Sequence, residues 1–100
     1  MSTVQTTERI LTTPNVRGGR PYIRGTTVTV DDIIIAKLYH GLDADGIASW
    51  YGLSLPEVYM ALAYYYDHKE EIDRQIKQQI RRSERLREQH LAREASLLPR

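Results

Sequence analysis

Ile47-Ala48-Ser49-Trp50-Tyr51-Gly52-Leu53-Ser54-Leu55-Pro56-Glu57-Val58 is the stretch from which the fold can be read. Ser54 with Glu57 three residues on makes a capping box at a helix start, and Leu53 with Val58 holds the positions of a hydrophobic staple. Pro56 falls in the first turn, where its missing N–H costs little. On the other side, Gly52 can adopt the left-handed conformation that ends a helix. Ala48, four residues earlier, is small enough to let two helices approach closely. This spacing predicts a helix-turn-helix, with Val58, Ala61, Leu62 and Tyr65 on the apolar face of its second helix.

Upstream, Asp43 opens the first of these two helices, which runs through Ile47, Ala48 and Trp50; Gly46 weakens it by about 1 kcal/mol relative to Ala. Trp50 is expected in the core. Before it, a helix over Asp32–His40 is expected, capped by Asp31 or the residue before it and stopped by Gly41. Its apolar side would carry Ile34, Ile35, Leu38 and Tyr39. Arg9-Ile10-Leu11, Tyr22-Ile23-Arg24 and Val28-Thr29-Val30 read as short extended pieces, separated by the turn-rich run Pro14 to Pro21 and by Gly25. Strands this short cannot stand alone. Downstream, Glu57 to Leu98 holds neither Gly nor Pro, yet Asp67 with Glu70 offers a second capping signal and predicts a bend near Asp67-His68. Ile72, Ile76 and Ile80 then recur four apart without sustaining a heptad, so a long coiled coil is not expected. The fold class is mainly α: a trihelical helix-turn-helix unit with a short N-terminal β arm and a C-terminal amphipathic helix.

Composition bounds the rest. At 100 residues the chain reads as one small domain. It has no cysteine, which removes disulfides and thiolate metal sites. No apolar run is long enough to span a bilayer and residues 1–7 are polar, so a cytoplasmic location without membrane contact is expected. The formal net charge of +1 conceals an asymmetry: residues 1–68 carry 5 basic and 7 acidic side chains, residues 69–100 carry 9 and 6. The chain therefore divides into a flexible N-terminus (1–7), a compact weakly acidic module (8–68) and a basic helical tail (69–100). The tail is too poor in apolar residues to build a core of its own.

DNA contact through the helix-turn-helix is a separate question. A reading helix presents Arg, Lys, Asn or Gln to base edges, whereas this one offers Ser54, Leu55 and Tyr59 and no Lys or Arg before Lys69. Arg17, Arg20 and Arg24 flank the Gly18-Gly19 turn. They are candidates for a DNA backbone or minor-groove contact, or for plain pairing with acidic residues. A phosphate loop is not indicated, because a strand and not a helix follows the glycines. His40, His68 and His90 are isolated, and no nucleophile or acid–base pair is set by spacing, so neither an enzyme nor a metal, cofactor or small-molecule site is expected. Tyr64-Tyr65-Tyr66 cannot all face one side of a helix. Tyr65 belongs to the core, while Tyr59 and Tyr66, seven apart, share an outer face suited to a protein interface.

Val16 to Val30 contains a Gly-Gly-x-Pro-x-Ile-x-Gly-Thr stretch in Gly18, Gly19, Pro21, Ile23, Gly25 and Thr26. It resembles the bacterial family called domain of unknown function 433, over roughly residues 8–72. Thr27 and Thr29 depart from the family pattern, where Arg and Pro are more usual. The resemblance implies a homeodomain-like trihelical unit, with no catalytic residues to carry over, and a grouping with VapB-like antitoxins beside PIN-like ribonucleases. An antitoxin needs a folded, usually dimeric module and a segment that engages the toxin. Ile72, Ile76 and Ile80 in an apolar groove, with Arg81, Arg82, Arg85 and Leu86 beside them, are the candidate partner-binding residues; the alternatives are that the tail packs within the molecule or a dimer, or that it contacts backbone phosphates. Tyr22, Ile23, Tyr59 and Tyr66 are the candidate homodimer interface. A homo-oligomeric interaction module that never meets DNA is the competing reading.

Overall fold

A computed structural model describes residues 9–97; the segment 1–7 read above as flexible lies outside them. The chain is mainly helical. Strands β1 (Ile10–Leu11) and β2 (Tyr22–Ile23) pair antiparallel, Ile10 opposite Ile23 and Leu11 opposite Tyr22. Helices α1 (Val30–Leu38), α2 (Ala44–Tyr51), α3 (Leu55–Asp67) and α4 (Lys69–Leu97) follow. Between the strands lie a turn at Pro14-Asn15, closed by the Val16 amide on the Thr13 carbonyl at 3.0 Å, and a tight turn at Arg17–Gly19. Another turn at Gly25 (φ 81) returns the chain, with the Ile23 amide donating to the Val28 carbonyl at 2.9 Å.

The starts of α1, α2 and α3 each have a side-chain cause. Asp43 accepts from the Gly46 amide to begin α2. Ser54 and Glu57 close the expected capping box on α3, and Leu53 and Val58 are buried beside it. Gly52 ends α2 at φ 68, and the Leu53 amide closes back on the Ala48 carbonyl at 2.9 Å. The start of α1 differs from expectation: Thr29, and not Asp31 or Val30, is the cap. Its hydroxyl accepts from the Asp32 amide while the Asp32 carboxylate accepts from the Thr29 amide. The helix begins two residues early and ends at Leu38.

The buried face of α1 is also shifted. Val30, Ile33, Ile34 and Ala36 are in the core, whereas Leu38 and Tyr39 are exposed. The reason is that α1 packs against both α3 and α4, so it is covered along its middle and left open at its end. Trp50 is likewise exposed and not core. The short α2 buries Ile47 and packs Ala44, Ala48 and Tyr51, half-buried, on the same side, and Trp50 falls outside that stripe.

The largest correction concerns α4. The bend at His68 (φ −127, ψ 35) is present, but the core does not stop there. Ile72 and Ile76 are fully packed among Ile23, Ile33, Ile34 and Val58, and Ile80 is partly covered. The stripe four apart meets α1 within the molecule, so Ile72 and Ile76 are not free partner-binding residues. From Arg81 to Leu97 every residue is exposed. The helix runs on for about 26 Å at 1.5 Å per residue, and the molecule measures 71 × 29 × 24 Å.

Candidate interaction surfaces

The arm carries the most ordered polar cluster. Arg17 has φ 48, a left-handed conformation rare outside glycine. It is held by a fork on Asp32 at 3.0 and 3.4 Å and by the Thr27 carbonyl at 2.7 Å. Gly18 and Gly19 continue the left-handed run, which explains why the turn needs two glycines there. Arg20 reaches the Arg17 carbonyl at 2.9 Å, the Gln79 side chain of α4 at 2.9 Å and the Asp31 carboxylate at 3.6 Å. Arg17 and Arg20 therefore fasten the arm to α1 and α4, while Arg24 is exposed.

Asp31 lies beneath this cluster with no exposed side-chain surface, and neither of its carboxyl oxygens receives a hydrogen bond from the described residues. Burial pushes its pKa up to about 6, with the neighbouring Asp32 adding and Arg20 and Arg17 opposing. Above it, Arg17, Arg20, Gln75, Gln78, Gln79 and Arg82 line a polar cleft of about 620 Å³ between the arm and α4. Across the His68 bend, Asp73 accepts from Tyr65 at 2.8 Å and from Lys69 at 2.9 Å. These bonds, that of Lys69 first, hold its carboxyl below the usual range. Burial, and then Asp73, pushes the Tyr65 hydroxyl up. No three His, Asp or Glu side chains gather as a metal would require among the described residues.

The helix-turn-helix presents a different surface. Leu55, Tyr59 and Tyr66 follow one another on the outer face of α3, 40%, 58% and 64% exposed, and Trp50 at the end of α2 is 75% exposed. Ser54 is occupied at the cap by Glu57. From Gly41 to His68 the only formal charges are Asp43, Asp45, Glu57 and Asp67, all negative. Of the candidate dimer residues, Tyr59 and Tyr66 lie on this face. Tyr22 and Ile23 do not: Ile23 is in the core, and Tyr22 is buried with its hydroxyl 2.8 Å from that of Thr13. Both are covered within the molecule, on the two faces of β2. Of the candidate partner-binding residues, Arg81, Arg82, Arg85 and Leu86 lie on the exposed part of α4. Sequence reasoning missed Trp50 and Asp31. Trp50 was findable from its offset to the stripe 44, 47, 48 and 51, whereas nothing in the spacing marks which of Asp31 and Asp32 is buried.

No helix among the described residues is long and apolar enough to cross a membrane. None of the curated proteins compared with the chain matches it. A crystal structure of a DUF433 member protein from Anabaena variabilis shares 33% sequence identity with the chain, covers 74% of each and superposes with a TM-score of 0.63. The family model described as a protein of unknown function (DUF433) matches residues 10–65, from β1 to Tyr65 of α3. With more than half of its length inside that match, the chain belongs to the DUF433 family.

Proposed function

We propose that the protein is a non-enzymatic, antitoxin-like member of a bacterial toxin–antitoxin pair, a homodimer whose α4 extension engages a PIN-like ribonuclease. The observation that carries this reading is the extension itself. Arg81 to Leu97 touch no other element closely enough to be covered, and Leu86, Leu91 and Leu97 are 58%, 51% and 76% exposed. A single helix of that length is marginal in water, so a partner surface is what would stabilise it. Its five arginines suit the carboxylates that such nucleases gather around metal. The partner-binding set is accordingly Arg81, Arg82, Arg85 and Leu86, without Ile72 and Ile76. The test is whether a PIN-like ribonuclease is encoded beside its gene and whether the protein inhibits it. Arg85→Glu with Leu86→Glu should raise the concentration needed for half-inhibition at least tenfold, with the helical circular dichroism unchanged. Equal inhibition by the variant, or no inhibition by the parent protein, would sink the reading.

A second reading, an interaction module that never meets DNA, is favoured by the helix-turn-helix, which carries no Lys or Arg between Gly41 and His68. Phosphate binding requires cations and weakens with salt. In a mobility-shift assay on its own upstream DNA, no retardation is expected at low salt. A shift that salt abolishes would restore operator binding.

A further inference from the structure

We propose that the basic extension of α4 docks on the exposed aromatic face of α3, in the negatively charged helix-turn-helix of a second copy of this chain, reciprocally, so that two copies close into a dimer. The inference rests on the reading of the extension as a binding element and names the surface that holds it when no other protein does. The two surfaces match in spacing. On α3, the exposed Leu55, Tyr59 and Tyr66, with Leu62 half-buried at the edge of the core between them, stand at intervals of four, three and four; on α4, Arg82, Leu86, Gln89 and Arg93 repeat those intervals. Each set forms one stripe along a helix, about 16 Å long. They also match in chemistry. The α4 stripe is cationic and apolar and holds no Glu. The α3 face is aromatic, and its helix-turn-helix carries only negative charge. Arginines set over Tyr59, Tyr66 and Trp50 gain cation–π attraction as well as charge complementarity.

The occupant must be another molecule. Lys69–Leu97 is one uninterrupted helix, so its last 17 residues continue in line past the body and cannot fold back onto their own α3. Each copy then offers one donor stripe and one acceptor face, and a two-fold arrangement fills both and leaves none open.

The experiment uses the full chain. Light scattering across a concentration series should give twice the 11.6 kDa mass and no more. Emission from Trp50, the only tryptophan, should shift to the blue as the dimer forms. A face variant, Tyr59→Ala with Tyr66→Ala, and a tail variant, Leu86→Glu with Arg93→Glu, alter exposed side chains and should each stay folded and monomeric. Mixed in equal amounts they should recover association, weaker than the parent's, because one of the two contacts then joins an intact tail to an intact face. Four results would overturn the proposal: a monomeric parent, a variant that dimerises as the parent does, a mixture that stays monomeric, or a mass that grows beyond two. Ribonuclease inhibition is measured separately and can succeed when all of these fail.

Discussion

Asp31 sits where a carboxylate is costly, and the pH dependence of stability should show it. Its pKa is about 6 in the fold against 3.8 in the unfolded chain. Between those values the folded state holds a proton that the unfolded state has lost, so stability falls as pH rises through the window. The penalty is complete above about 6 and is relieved on acidification, by at most about 3 kcal/mol at 1.36 kcal/mol per pKa unit. Asp73 works the other way, but its carboxyl is held below the usual range. Its contribution is therefore lost only in more acid solution. Urea unfolding at pH 7.5, 6 and 5 should give rising midpoints, and Asp31→Asn should flatten the trend; midpoints that fall from 7.5 to 5 would show the carboxylate to be well paired. None of this was legible beforehand. In the sequence Asp31 reads as the cap of a helix that starts at Asp32, and which carboxylate is buried depends on an arm set by the left-handed run Arg17-Gly18-Gly19.

Among the elements, α2 and α3 were legible down to their caps, because Asp43, Gly52, Ser54 and Glu57 act locally and their partners lie within a few residues. The signal for α1 was present and misread: Thr29 and Asp32 are also a capping box, and the adjacent Asp31 obscured it. The first half of α4 was misjudged for another reason. Division by charge at His68 outweighed a stripe, Ile72, Ile76 and Ile80, that is continuous with the core. Two experiments check its membership. Ile72→Ala removes a fully buried side chain and should lower stability by about 3 kcal/mol, within the ~2–5 kcal/mol found for such truncations, whereas Leu86→Ala should change it by less than about 0.5 kcal/mol. In solution dilute enough to keep the full chain monomeric, a chain ending after Ile80 should melt cooperatively near the midpoint of the full chain. One ending after His68, which loses Ile72 and Ile76, should show no cooperative transition. Equal melting of the two would detach α4 from the core.

Across the whole molecule, stability should be graded along a single helix, because α4 leaves the packed body partway through its length. Its first three turns share the core and can open only with it, so amides from about Ile72 to Ile80 should exchange hydrogen near the rate of global unfolding. Beyond Arg81 the backbone bonds are exposed on every side, and support comes only from weak contacts such as the His90–Glu94 pair at 3.0 Å. Such pairs contribute a few tenths of a kcal/mol, too little for a helix of that length to persist fully. Amides from about Glu84 to Glu94 should thus exchange orders of magnitude faster than those before Ile80 in dilute solution. Raising the protein concentration tests where the missing stabilisation comes from. If a second copy covers the extension, its protection climbs with concentration while that of the core stays constant. Protection that is uniform along α4 at every dilution would mean that the extension is stabilised within its own chain, and the protein would then have no unpartnered helix to offer a nuclease or a second copy.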